Sequence, residues 1–466
     1  MGLSVSRQYI NRGWLILWSC LIASGFVFPQ IETLVMGFLC IRALKGARQT
    51  MEAAVVTCFY ILASPVFVEG ATRGFLRYLM LATGFISLLV RSRKRNSQAT
   101  NFLWWFVVVF SLLSVLTSKI PSISVLKIIS FFLGSYIMIE GFQQVKQNSR
   151  YWFTVINTFF VSAVYFSLIF FFLGFGFEEN GRGFQGIFSH PQNFGPVMGV
   201  VTAWFLGVVL SKEGASKFIK LTGCISLVFV FMSLARTGLV AFLGGVGLAY
   251  LLGFRRKKNV DYVSKGVRLI ILAISILVVA GLANPTFIQE TIVSFVQKRE
   301  GQNTNTSLDE LFNQSRGQLT VTSMENFSSH PVFGIGFGVP SNTEDLALIG
   351  KVEYFAGVPI SASVEKGFLP TAILEETGLI GGIATIFLIT IIFSKVRRKF
   401  SLPMLWLLSA AILINVGEAI FFSVGGTGFF MWLIVGMCYS FDFFRTEIGP
   451  KERIKFTANK VKFIDA

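Results

Sequence analysis

The sequence predicts an all-α polytopic integral membrane protein, with about 12–14 transmembrane helices and one large extracytoplasmic loop containing amphipathic helices. Of the 466 residues, 53% are apolar and only 14% are charged, whereas a soluble chain carries about a quarter charged residues. The 51 Phe outnumber the 24 Asp and Glu. The apolar residues form successive runs, many of which approach the roughly 20 residues needed to cross a bilayer. Together these observations exclude a soluble enzyme and a disordered chain.

The predicted spans follow one another along the chain and divide it into five regions. The first two spans are short and flank Pro29, so they form either two spans or one re-entrant or tilted hairpin, which would leave twelve spans. The spans are expected at 14–28, 31–44, 52–67, 74–90, 102–118, 123–139, 152–175, 191–210, 217–234, 237–253, 267–283, 369–393, 402–421 and 426–444. The regions are N-terminal transmembrane helices (1–100), central transmembrane helices (101–283), the large loop (284–367), C-terminal transmembrane helices (368–445) and a basic cytoplasmic tail (446–466).

Basic residues set the expected orientation. The net charge is +17, and Lys and Arg gather in short clusters between apolar runs and in the tail, which is the pattern of cytoplasmic segments. Both termini are therefore predicted in the cytoplasm, and nucleic acid is not expected as a partner. The run from Trp14 to Phe28 follows basic residues as in a signal peptide, but no small-residue cleavage site follows it, and we take it as the first span.

The few cysteines and histidines limit the chemistry that the chain can perform. Its five Cys lie within apolar runs without CxxC spacing, and it has two His. The sequence therefore predicts neither a disulfide framework nor a metal site, and no cofactor is expected. In the large loop, the helical spacing of Leu308, Leu311, Phe312 and Leu319 predicts one or two amphipathic helices at the outer interface. A mobile linker is the alternative.

Two candidate functional segments join spans on the predicted outer side. In Gly181–Gly195, a helix starting near Pro191 would present free amide groups to an anion, and Arg182 would add a planar fork for phosphate. The alternative is a glycine-rich turn with a snorkelling arginine. In Ser233–Gly238, Arg236 lies where two apolar runs meet, and an arginine at that depth suggests a function. The alternative there is interface anchoring.

Two further candidate segments belong to the large loop and to the span that follows it. Arg316 precedes the run from Ser328 to Gly338. The glycines of this run lack the strand and helix that flank a dinucleotide site, so they predict a sharp turn. His330 either holds this turn or acts as a base. Glu365 lies near the start of the next span, and Glu375 and Glu376 lie deeper. A carboxylate in such a place suits a general base. A helix-start carboxylate stabilised by the helix dipole is the alternative.

These segments predict one outer-face cavity in which arginines meet a base. Converging arginines imply a polyanionic ligand, and a neighbouring base implies an acceptor hydroxyl. A lipid diphosphate that carries a sugar meets both requirements.

The order of these motifs resembles the O-antigen ligase and Wzy-type polymerase superfamily of bacteria, over roughly residues 100 to 445. Its motifs are Arg182 with His190–Gly195, Ser233–Thr237, Arg316 with His330–Gly336, and Glu376–Gly381. The resemblance implies an inverting, metal-independent glycosyltransferase of the inner membrane that uses undecaprenyl-diphosphate-linked glycan.

The resemblance also assigns roles to individual residues. It implies that Arg182, Arg236 and Arg316 bind the diphosphate. The ligase histidine is absent, because Gly367 occupies its position, and this favours a polymerase of O-antigen, capsule or exopolysaccharide. Glu365 is then the candidate catalytic base, with His330 as the second choice.

Two alternatives remain at this level. The first is a ligase, which performs the same chemistry on lipid A core of lipopolysaccharide or on another acceptor. The second is a polysaccharide transporter or lipid flippase, which we disfavour because most charges lie at the ends of the spans. A chain-length regulator is a partner that only the resemblance suggests.

Overall fold

A computed structural model describes residues 10–28, 30–68, 73–91, 97–177, 183–211, 215–253, 317–341, 352–355, 358–362, 366, 368–398 and 402–443. The described part is a multi-pass helical membrane protein. Its α-helices are α1 Arg12–Val27, α2 Ile31–Ala43, α3 Ala47–Leu62, α4 Arg73–Arg91, α5 Gln98–Thr117, α6 Pro121–Gln144, α7 Ser149–Leu173, α8 Pro191–Ser211, α9 Lys217–Met232, α10 Arg236–Gly253, α11 Gln318–Ser329, α12 Leu369–Arg398, α13 Leu402–Leu413 and α14 Gly426–Ser440.

Most of the described helices overlap predicted spans. Among the described residues, six stretches are both long and apolar enough to cross a membrane; they are Gly74–Arg91, Gln98–Thr117, Pro121–Gln144, Lys146–Leu173, Pro191–Val209 and Leu369–Arg398. Four more apolar helices are shorter. The predicted all-α membrane fold is confirmed, while the predicted span 267–283 lies outside the described residues.

Local sequence signals explain where several helices begin and end. Asn11 caps α1 by accepting the Trp14 N–H through its side chain, and Ser216 caps α9 in the same way. Pro121 occupies the first turn of α6, where its missing N–H costs nothing. Gly174 ends α7 in the left-handed conformation, with φ of 78°.

The predicted span 52–67 is misplaced, because α3 occupies Ala47–Leu62. The chain becomes extended at Ala63, which pairs with Phe188, and the Ser64 N–H donates to the Ile187 carbonyl at 2.9 Å. The segment after α3 therefore satisfies its backbone through a loop that is distant in sequence rather than through another helical turn. Pro65 contributes, since a proline disfavours helical geometry in the residue before it.

The centre of the described bundle is α14. All of its residues from Thr427 to Ser440 are buried, as expected of a helix that is apolar on every side. It packs against α6 and α13. Elsewhere in the core, the buried Trp204 Nε1–H donates to Asn157 Oδ1 at 2.9 Å, which joins α7 to α8.

The described part of the large loop holds one helix and one β-hairpin. The predicted helix around Leu308 lies outside the described residues, but α11 covers Leu319 and Phe327. The hairpin was not expected from the sequence: strand β1 (Val352–Phe355) pairs antiparallel with β2 (Val358–Ala362), with an irregular register after Glu353. Backbone pairing between its strands stabilises this hairpin, and short apolar runs give no clear signal of it.

Candidate active site

The N-termini of α8, α10 and α14 meet at one end of the bundle, which we call the site end. The Thr427 hydroxyl of α14 donates to Asn193 Oδ1 in the first turn of α8 at 2.7 Å. A Cβ added to Gly238 of α10 would come within 2.4 Å of the Gly195 carbonyl of α8. The small residues thus let three helix N-termini approach closely, and each contributes a partial positive charge.

The loop before α8 is folded back by backbone hydrogen bonds. The Gln185 N–H donates to the Gly176 carbonyl at 2.8 Å, and the Phe184 N–H donates to the Met232 carbonyl at 2.9 Å. Gly183 has φ of 109°, in the left-handed region that favours glycine. The loop is therefore a shaped segment held against α9. Arg182, the predicted phosphate ligand of this loop, lies outside the described residues.

His190 ends that loop and caps α8. Its Nδ1 accepts the Gln192 N–H at 3.1 Å, and its carbonyl accepts the Phe194 N–H at 3.0 Å. The predicted helix start at Pro191 is confirmed. In addition, Asn193 Nδ2 donates to the Ser189 hydroxyl at 3.1 Å, which fixes the amide that meets Thr427. The sequence motif gave no reason to single out this pair of helix N-termini.

Arg236 is the first residue of α10 and follows a strained turn. Leu234 has φ of 53°, the single positive φ at a non-glycine residue of the described chain. Such a conformation persists only where its surroundings impose it, and it occurs often at functional sites. The turn packs on α8, because a Cβ at Gly195 would come within 2.5 Å of Ala235 Cβ. The structure thus places half-buried Arg236 at the site end; its role as a diphosphate ligand stays a prediction.

The predicted sharp turn after His330 docks onto a break in α12. Gly378 interrupts that helix with φ of 62° and ψ of −163°. The break frees backbone groups on both sides: the Ile335 N–H donates to the Glu375 carbonyl at 2.8 Å, and the Leu379 N–H donates to the Pro331 carbonyl at 2.9 Å. The turn and the broken helix therefore satisfy each other's backbone, as buried irregular backbone in a membrane requires.

Glycines make this docking possible. A Cβ at Gly334 would come within 2.5 Å of the Glu375 carbonyl oxygen, and a Cβ at Gly378 would come within 2.3 Å of the Val332 carbonyl oxygen. Any side chain at either position would separate the two backbones. The glycine run after His330 is thus a docking turn, which agrees with the predicted sharp turn.

His330 itself ends α11 with its backbone in that turn and its side chain exposed. Its N–H donates to the Asn326 carbonyl at 3.1 Å, and its carbonyl accepts the Gly334 N–H at 2.9 Å. The backbone of His330 is therefore structural. Its exposed imidazole leaves the proposed role as a base untested.

Glu375 of α12 is fully buried, and both of its carboxylate oxygens are engaged. Oε1 accepts from Asn326 Nδ2 at 2.8 Å, and Oε2 accepts from the Ser323 hydroxyl at 2.8 Å. Lys366 Nζ lies 2.9 Å from Oε2, and both side chains of this ion pair are buried. Glu375 thus ties α11 to α12 through both of its carboxylate oxygens.

Glu376 faces the other side and lines a small cleft. Its Oε2 accepts the Gly338 N–H at 2.7 Å, and Lys127 Nζ of α6 lies 3.6 Å from its Oε1. Apolar and hydroxyl side chains of α5 and of the turn line the rest of the cleft, among them Phe110, Ser114 and Phe337. Lys127 is not among the site residues predicted from the sequence, although a lone lysine inside an apolar run is a signal of function.

The segment between α13 and α14 connects these parts of the site end. A Cβ at Gly417 would come within 2.1 Å of the Thr237 hydroxyl of α10. Phe422 packs on Phe337 of the docking turn, with ring centroids 4.6 Å apart. Of the five site residues predicted from the sequence, the structure therefore places Arg236 and His330 at one end of the bundle. Arg182, Arg316 and Glu365 lie outside the described residues.

The chain is similar to one known protein family over part of its length. A comparison with curated proteins found no match. Residues 221–386 match the family model described as O-antigen ligase, a segment that contains Arg236, the docking turn and the break at Gly378. The chain is accordingly a multi-pass membrane protein. The match over residues 221–386 supports a relation to the O-antigen ligase and Wzy-type superfamily.

Proposed function

We propose that the protein polymerises undecaprenyl-diphosphate-linked oligosaccharide repeat units on the outer face of the cytoplasmic membrane. The observation that carries the proposal is the position of Arg236. It begins α10 within the family-matched segment 221–386, beside the N-terminal turn of α8, which in turn contacts the N-terminus of α14. A cation among helix N-termini suits a diphosphate leaving group.

The distribution of basic residues supports an outward-facing site end. The opposite end of α12 carries Lys395, Arg397 and Arg398 in its last turn, and α4 ends at Arg91. Lys395 lies at the same end as the C-terminal part of α14, since its Nζ is 4.1 Å from the centre of the Tyr439 ring. Basic helix ends are typical of the cytoplasmic side, which supports an outward-facing site end.

The proposed reaction is an inverting displacement at the anomeric carbon of the donor. An acceptor hydroxyl oxygen forms the new bond to that carbon, the bond from carbon to the diphosphate oxygen breaks, and the electron pair leaves with the lipid diphosphate. The hydroxyl proton passes to a base, for which Glu365 is the first candidate and His330 the second. Arg182, Arg236 and Arg316 stabilise the leaving charge. Cations placed in advance of the reaction are commonly the largest catalytic contribution.

A polymerase is favoured over a ligase by the residues near the start of α12. Gly367 occupies the position of the ligase histidine. The adjacent Lys366 does not replace that base, because its ammonium group is buried against Glu375. The ligase remains the second candidate, since the matching family model is described as O-antigen ligase.

A product profile distinguishes these functions. Purified protein in nanodiscs would receive a lipid-diphosphate-linked repeat unit alone, and then together with lipid A core, and products would be sized by gel and mass spectrometry. A ladder from the single substrate indicates a polymerase. Transfer only in the presence of the second acceptor indicates a ligase. If the lipid-diphosphate-linked repeat unit stays unreacted in both reactions, the result would contradict glycosyl transfer and favour transport.

The role of Arg236 is tested in the same assay. We expect Arg236→Ala to lower the rate by about 10² or more at normal expression, because it removes a cation that stabilises leaving-group charge. Arg397→Ala, which removes the same charge at the opposite end of the bundle, should leave the rate unchanged. Full activity of Arg236→Ala would reject this assignment.

A further inference from the structure

Arg77 is a charged residue within a candidate span, and the proposed mechanism does not use it. It lies one turn after the start of α4. Its Nε is buried and has no hydrogen-bond acceptor among the described residues. It takes part in none of the ion pairs that the described residues form with one another. The side chain as a whole is half-buried, and its Cζ lies 4.6 Å from the centre of the Tyr78 ring. The ring leaves the buried Nε–H without an acceptor, and such a donor in a membrane helix is costly, so an anion beside it would satisfy this group.

The guanidinium group lies against the start of α14. A Cβ added to Gly425 would come within 2.8 Å of Arg77 Nη1. Gly425 is the N-cap of α14, where no side chain caps the helix and no acidic residue occupies the first turn. The missing side chain of Gly425 thus lets the Arg77 guanidinium group lie beside the N-terminus of α14. Both the guanidinium group and the helix N-terminus favour a bound negative charge.

This place is continuous with the site end. Thr427 of α14 donates to Asn193 of α8 at 2.7 Å. Two residues further along α8, Gly195 packs against Ala235, which immediately precedes Arg236. A continuous series of contacts therefore runs from Arg77 to the turn that carries Arg236, although Arg77 comes from the N-terminal helices, outside the matched segment 221–386.

We propose that Arg77 is a further binding residue for the diphosphate of the lipid-linked donor. The inference rests on the proposed function. A phosphate oxyanion is common to this diphosphate and to phospholipid headgroups. The donor is the favoured source because the Nε is buried and Nη1 lies against Gly425, the N-cap of α14 at the site end. The planar guanidinium group can hold two phosphate oxygens at once.

The test measures binding of sugar-free undecaprenyl diphosphate to the full chain in phosphatidylcholine nanodiscs. We expect Arg77→Gln to weaken binding about tenfold or more, the usual loss for a charge-assisted hydrogen bond. Arg77→Lys should recover part of the affinity. Arg91→Gln is the matched control, because it removes the same charge from the opposite end of the same helix, and it should bind as the unaltered protein does.

A second variant keeps every charge and tests the site if Arg77→Gln does not fold. Gly425 has an ordinary backbone conformation, with φ of −114° and ψ of 159°, so alanine is tolerated there. Its Cβ would displace only the flexible end of Arg77. Gly425→Ala should therefore weaken binding in the same direction as Arg77→Gln.

Two outcomes would overturn the proposal. One is equal affinity of Arg77→Gln and Arg91→Gln for undecaprenyl diphosphate. The other is that Arg77→Gln loses only bound phospholipid, measured by lipid mass spectrometry in phosphatidylglycerol nanodiscs, and keeps its affinity for undecaprenyl diphosphate. That result would assign Arg77 to a phospholipid headgroup. Binding requires no turnover, so absence of glycosidic product from the unaltered protein would reject the proposed function separately. In an active protein, Arg77→Gln should raise KM more than it lowers kcat.

Discussion

Gly378 shows at the scale of one residue how the site end is built. It breaks α12 with a left-handed φ of 62°, and its missing side chain lets the Val332 carbonyl approach. Both the backbone conformation and the close contact require glycine. The same four-residue stretch contains Glu375 and Glu376, which face different neighbours on either side of the docking turn.

Replacing Gly378 by alanine should destabilise the protein by about 2 kcal/mol or more, through backbone strain and the clash with Val332. Thermal unfolding in detergent would measure this as a lower Tm. Gly382→Ala is the matched control on the same helix, because its Cβ would meet only ordinary contacts, the nearest at 3.4 Å. If both variants unfold at the same temperature, the docking of the turn does not depend on this glycine.

Helix α11 is held to α12 by polar groups, which reverses the usual arrangement of an amphipathic helix. Its Ser323 and Asn326 bind Glu375, while Val321 and Met324 are exposed. The apolar face is therefore turned outward, as an interfacial helix requires. The buried pair of Glu375 with Lys366 completes the attachment.

Loss of the Glu375 charge should release α11. We expect Glu375→Gln to cost about 3 kcal/mol, because it leaves the Lys366 ammonium buried without its partner. Ser323→Ala should cost about 1 kcal/mol, the typical value of one hydrogen bond. Limited proteolysis would detect the release as faster cleavage near α11. Ser328→Ala is the control, since the Ser328 hydroxyl is exposed; equal cleavage rates in all three variants would contradict this attachment.

At the scale of the whole molecule, the proposed reaction requires the site end to face away from the cytoplasm. Exposed Ser328 belongs to the described part of the large loop, and exposed Gln147 lies between α6 and α7. The two positions are expected on opposite sides of the membrane.

Thiol labelling in intact cells would determine the orientation. Ser328→Cys should react with a membrane-impermeant maleimide added outside, whereas Gln147→Cys should react only after the membrane is permeabilised. The unaltered chain, with its own five cysteines, gives the background. The opposite labelling pattern would place the site end in the cytoplasm and would contradict catalysis on the outer face.

The sequence by itself determined the membrane class and the approximate positions of most of the described helices. A long apolar run can satisfy its backbone within its own segment only as a helix, so each run predicts its own structure without knowledge of the others. The prolines and glycines at Pro191 and Gly334–Gly338 likewise predicted a helix start and a turn from local geometry alone.

Only the tertiary structure decided which of these local features meet. The pairing of Thr427 with Asn193 joins residues far apart in the chain, and so does the attachment of Glu375 to Ser323 and Asn326. The hairpin at 352–362 and the end of α3 at Leu62 also depend on partners elsewhere in the chain. Hydrogen bonds and close glycine contacts form across space, and no periodicity along the sequence records which partner a buried polar group will find.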